Sequence, residues 1–232
     1  MVIYGADTNA EELEARIAAV RLGTLIVVSS ARVYGASPRH DMCLGENTPV
    51  EEQPEDEERA AFVALEAAAQ ACIGSRKGAP RLVILRPVHV LGGPHEGAVG
   101  RALRNGPLRT AFGFDPLVQL IHHDDVELSV KLAKRADIAG VFNVCGSGAL
   151  PLSELARAAG TQRVAGIDGI VSDLLERARL RHAAHLPEDE THYFIHVSDS
   201  RFRDATGYSP RRSLPATLAA LDEVTNPGTT SP

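Results

Sequence analysis

Three short apolar runs constrain this chain most: Leu25-Ile26-Val27-Val28, Leu82-Val83-Ile84-Leu85 and Val141-Phe142-Asn143-Val144. Apolar runs of strand length belong in a parallel sheet covered on both faces, because a sheet with one wet face alternates instead. Such a sheet needs helices between its strands. Asn9 to Arg21 reads as one: Asn9 can cap it, acids fill the first turn, and Leu13, Ile17 and Val20 recur at helical spacing. Glu57 to Ile73 is Ala-rich and helix-forming, and stops at Gly74. The order predicts an α/β doubly wound domain. Met1-Val2-Ile3-Tyr4 reads as the end of one more strand, so the sequence enters the fold inside a sheet. Pro151 to Leu155 opens a short helix. The remainder, through Gly207-Tyr208-Ser209-Pro210, reads as a small lobe, and the segment from Thr225 as a frayed tail.

Composition narrows the function. With 232 residues, 44% hydrophobic and 23% charged, the chain is ordinary globular material. It carries 24 basic against 30 acidic residues, a net −6 with no concentrated basic face, which argues against nucleic acid. Four Tyr, six Phe and no Trp make a base-stacking platform unexpected. The apolar runs fall far short of the ~20 residues of a membrane span, and no signal peptide is evident. Cys43, Cys72 and Cys145 form neither a disulfide framework nor a CxxC pair, so a cytoplasmic protein is expected.

Six ordered motifs add a family resemblance. Val28-Ser29-Ser30-Ala31-Arg32-Val33-Tyr34-Gly35 resembles the strand-to-loop segment of extended short-chain dehydrogenase/reductases, the NAD-dependent epimerase/dehydratase group. Leu85-Arg86-Pro87, then Gly92-Gly93-Pro94, resembles its next strand and nicotinamide-side loop. Gln119 to Val126, Gly140 to Val144, Leu150 to Leu155, and Ser198 to Arg201 with Gly207 to Pro210 are similar to later segments in order. The stretch from Gly113 to Val126 is most similar to actinobacterial sugar-nucleotide-epimerase-like members. The resemblance implies a partial Rossmann-like sheet lacking its first strands over residues 1–145, with 107–125 contributing to the substrate lobe. It implies a C-terminal α/β lobe over 146–224 and a tail over 225–232. Ser30 takes the family's catalytic serine position, and Ser29, Tyr34, Arg86, Pro87 and Val88 lie on the substrate and cofactor side.

The family's chemistry also needs a glycine-rich turn, where a helix N-terminus meets the cofactor diphosphate. No GxxGxxG or GxGxxG precedes residue 25. It needs a Tyr general acid/base with a Lys four residues on, whose ammonium lowers the phenol's pKa. Phe62 and Glu66 stand where the resemblance puts that pair, and no YxxxK occurs anywhere. Phe62 has no proton to give, and a carboxylate would push a phenol the wrong way. Of the three requirements, only the serine survives.

Other residues invite competing readings. His89 is the best spare titratable group at the site and a candidate catalytic residue. Arg86 offers a fork for phosphate, or half of a buried ion pair. In His122-His123-Asp124-Asp125, an Asp capping the next helix is favoured over a metal site. His182, His185, His192 and His196 read as scattered surface histidines, so no metal is expected. A Ser30 triad lacks the GxSxG elbow. Glu51 to Glu58 reads as a solvated acidic loop, and the Ala60, Ala64, Ala67, Ala68, Ala71 face as a homodimer surface on helix 57–73 or as internal packing.

Three functions follow. The first is a degenerate family member with a sugar-nucleotide-like pocket and no standard redox chemistry, needing no cofactor of its own. The second is an incomplete chain that uses NAD(P) once an N-terminal part is supplied. The third is a non-catalytic scaffold using the Met1–Tyr4 edge and the Ala-rich helix.

Overall fold

The structure, a computed structural model, describes residues 1–5, 15, 23–74, 80–166 and 186–223. The expected helix from Asn9, His182, His185 and the tail from Thr225 lie outside the described residues, apart from Ala15, which is helical.

Four parallel strands form the main sheet in the order β1-β2-β3-β7: β1 Val2–Tyr4, β2 Thr24–Val28, β3 Arg81–Pro87 and β7 Gly140–Val144. The apolar runs are continuous because both faces are covered. Successive side chains point to opposite faces. Ile3, Leu25, Val27 and Ile84 meet Leu65 and Ala69 of helix α1 (Glu57–Gly74). Ile26, Val28, Val83 and Leu85 share a second cluster with Val126, Val130 and Ala133 of helix α3 (His123–Arg135). One helix on each face of a parallel sheet is the doubly wound arrangement.

Beyond β3 the chain continues through β4 (His89–Leu91), α2 (Ala98–Arg104), β5 (Leu108–Ala111) and β6 (Leu117–His122). β4 runs parallel to β6, and β8 (Gly148–Pro151) pairs with β6 antiparallel. β5 pairs with β9 (Arg163–Gly166), which follows α4 (Leu152–Ala158). Short helices α5 (Glu188–His192), α6 (Ser200–Thr206) and α7 (Leu214–Glu223) complete the described chain. Gly146 lets the chain leaving β7 pass β6, because a Cβ there would overlap the Leu120 carbonyl. No helix among the described residues is long and apolar enough to cross a membrane.

Two local expectations are corrected. His122, not an aspartate, caps α3: its Nδ1 accepts the Asp124 N–H at 3.0 Å. Asp125 is buried and accepts the N–H groups of Arg211 and Arg212 at 2.8 and 3.1 Å, tying the C-terminal segment to α3. The Glu51 to Glu58 stretch is no free solvated loop, because Glu51, Asp56 and Glu58 all pair with buried arginines. The alanine face of α1 divides: Ala64, Ala67 and Ala71 are exposed, whereas Ala60 and Ala68 are half-buried.

Candidate functional site

β1, β2 and β3 end at one edge of the sheet, where a crevice between strand termini and crossing loops is the usual ligand position in open α/β folds. A cavity of about 130 Å³ lies there. Tyr4, Gly5, Val28, Ser29, Ser30 and Pro87 to Val90 line its floor, with Phe62 from α1 and His123 and Val126 from α3. Pro94 to Ala98 and Arg101 form its far side. At roughly 30 Å³ per water, this is room for about four waters, or for one edge of a sugar ring.

The serines differ. Ser30 closes the first turn of the 3-10 segment Ala31–Tyr34, its Oγ accepting the Arg32 N–H at 3.2 Å. Ser29 is anchored through its backbone, which donates to Leu85 O at 2.8 Å, while its buried Oγ has no partner. His89 is held by β4, its Nδ1 also unpartnered. Burial pushes its imidazole down to about 4, with Glu190 opposing and Arg32 reinforcing the shift. His123 Nδ1 is likewise unsatisfied, and its ring occupies the space a Cβ at Gly93 would need.

Tyr4 is the tyrosine at this cavity. Its ring stacks on His95 at 4.3 Å between centroids, and its hydroxyl donates to Glu127. Burial first, then that hydroxyl–carboxylate contact, raises its phenol well above the usual range, so Tyr4 is a poor acid/base.

Behind this lining lies a structural layer. Glu66 accepts two hydrogen bonds from Arg86, at 3.0 and 2.6 Å. The Arg86 guanidinium also covers the Tyr34 ring at 4.8 Å. Tyr34 does not line the cavity: it is 2% exposed and donates to Asn143 Oδ1 at 2.8 Å. Thus Ser29, Ser30, Phe62, Pro87, Val88 and His89 share the cavity, whereas Tyr34, Arg86 and Glu66 sit behind it.

The sequence reading missed an ion-pair wall. Arg32 Nε donates to Glu190 (2.7 Å), and its other nitrogens pair with Asp56 (3.0 Å) and Glu58 (2.6 Å). Arg59 binds Glu190 (2.8 Å), Asp189 (2.8 Å) and Glu51 (2.7 Å). No local pattern signals these contacts, since residues 32, 59 and 190 meet only through the fold. Among the described residues, no group of three or more His, Cys, Asp or Glu is placed to hold a metal ion.

The comparisons bear on this architecture. No protein-family model matches the chain. Uncharacterized proteins of Mycobacterium tuberculosis and Mycobacterium bovis are 28% identical over 210 residues, 86% of this chain and 53% of theirs. The chain therefore spans about half the length of the curated relatives it matches. Among solved structures, UDP-glucuronic acid 4-epimerase from Bacillus cereus in complex with NAD superposes with a TM-score of 0.63 at 17% identity, covering 93% of this chain and 66% of the epimerase. The dTDP-glucose 4,6-dehydratase DesIV from Streptomyces venezuelae gives 0.66 at 18% identity, covering 95% and 67%. The fold is that of NAD-dependent epimerases and dehydratases. Against that epimerase/dehydratase fold, the described residues do not fit a whole dinucleotide. The cavity, at about 130 Å³, is far smaller than a dinucleotide, and the guanidiniums beside it, Arg32 and Arg101, are engaged by carboxylates.

Proposed function

We propose that this chain is a member of the epimerase/dehydratase group that keeps a sugar-binding cavity at the strand ends without the group's usual redox chemistry. The observation that carries the reading is the placement of Phe62 and Glu66. Phe62 brings a ring with no proton to the cavity, and Glu66 is locked in an ion pair with Arg86. What remains at the cavity is Ser29, Ser30 and a neutral His89, a set suited to exchanging hydrogen bonds with ligand hydroxyls. On this reading the segment 146–224 is the substrate lobe, and the ligand is a sugar, free or nucleotide-linked. The exposed alanines of α1 are the surface for a homodimer.

Coverage of the relatives favours a second reading, in which polypeptide outside these residues supplies a dinucleotide site. A ligand that binds only the folded form raises its apparent stability, so thermal unfolding with hexoses, nucleotide sugars, NAD and NADP separates the two. At least one sugar ligand and neither dinucleotide is expected to raise Tm. Stabilisation by NAD or NADP alone overturns the reading.

A further inference from the structure

The cavity wall carries a charge pattern that bears on which sugars enter, an inference that rests on the sugar-cavity reading and deepens it. Arg101 pairs with Glu58 at 2.8 Å, and Glu58 with Arg32 at 2.6 Å. Through Glu190 the chain of ion pairs continues to Arg59, which also holds Asp189 and Glu51. In the lining itself, Arg32 and Arg101 face Glu58 and Glu96, two charges of each sign, while Asp56, Glu190, Arg59, Asp189 and Glu51 stand behind it, so the lining offers no excess of positive charge. A phosphate ligand wants the reverse: guanidinium or ammonium groups free to take its oxygens in charge-assisted hydrogen bonds. Among the described lining residues, both guanidiniums already hold carboxylates.

The unpaired groups point to a different ligand. Ser29 is 3% exposed and lines the cavity, and its Oγ has no partner. The Nδ1 atoms of His89 and His123 are also unsatisfied in the same cavity. A buried hydroxyl and imidazole nitrogens complement alcohol groups, which both donate and accept. Phe62 and the stacked Tyr4 and His95 rings add apolar faces for a sugar's C–H surface.

We infer that the cavity takes the hydroxylated edge of a sugar carrying no phosphate, with Ser29 hydrogen-bonded to it. Binding of glucose, galactose and mannose, each beside its 1-phosphate and beside UDP-glucose, is measured on the full chain by saturation-transfer NMR. At least one neutral hexose is expected to bind saturably, its 1-phosphate at least tenfold more weakly. Ser29→Ala is expected to weaken the hexose at least tenfold while leaving the ligand-free Tm within a few degrees. Glu58→Gln releases one carboxylate from Arg32 and Arg101, and is expected to strengthen the 1-phosphate relative to the hexose. Equal or tighter binding of the 1-phosphate or of UDP-glucose overturns the inference and leaves the proposed function standing. Failure of every sugar to bind overturns both.

Discussion

Glu66 on α1 and Arg86 at the end of β3 form a two-pronged ion pair, each side chain about 5% exposed. The pair fixes α1 against the sheet and takes Glu66 away from the cavity that Phe62, one helical turn earlier, lines. Removing one member of a buried pair strands the other charge. Glu66→Ala is therefore expected to cost about 3–5 kcal/mol in urea unfolding. Replacing both residues with methionine should cost markedly less. Glu66→Lys sets an ammonium against Arg86 and should destabilise more than Glu66→Gln.

Tyr34 and Ser30 separate packing from binding. Tyr34→Phe strands Asn143 Oδ1 in the core and is expected to cost about 1–3 kcal/mol, with sugar affinity unchanged. Ser30→Ala removes one turn-capping bond, a cost of about 1 kcal/mol, and is expected to leave the fold intact while ligand affinity falls. Urea midpoints and ligand titrations on the same variants check both outcomes.

The pH dependence of stability has two windows. His89 is held neutral down to about 4, below its ordinary 6.5. Between these values the unfolded chain binds the extra proton, so stability falls as pH drops from 6.5 towards 4. His89→Gln should flatten that slope. Asp189 is half-buried, and desolvation alone would raise its pKa, but hydrogen bonds from Arg59 and the Ala36 N–H bring it below the usual carboxylate range. Its stabilisation is present above the ordinary carboxylate pKa and is lost as pH falls below it. Asp189→Asn should remove part of this second, more acidic loss. Urea midpoints measured from pH 8 to pH 3 resolve the two.

Gly93 adopts φ +71°, and the His123 ring fills the space where a Cβ would stand. Gly93→Ala imposes a left-handed conformation on an L-residue, costing about 1–2 kcal/mol, and displaces His123. Reduced sugar binding together with lowered Tm is expected. An unchanged affinity would separate His123 from the site.

The sheet was legible because burial on both faces writes itself as uninterrupted apolar runs. β2, β3 and β7 contain the three runs, and α1 ends at Gly74 as its sequence indicates. The second sheet was not anticipated: β4 is three residues long, and its pairing with β6 is long-range. At the site, Phe62 and Ser30 do converge on one cavity, since helical spacing and strand-end position are local properties. Tyr34 was misjudged because its 3-10 turn rotates it into the core, where Asn143 awaits its hydroxyl. The acidic stretch from Glu51 hid its role, because its partners Arg32 and Arg59 are recognisable only once α5 brings Glu190 between them.

The most direct test of a sugar cavity without redox chemistry is fluorescence titration of the full chain with NADH, with and without UDP-glucuronic acid. No saturable change up to millimolar cofactor is the predicted result. Saturable binding in the micromolar range, with turnover of the sugar, would contradict it.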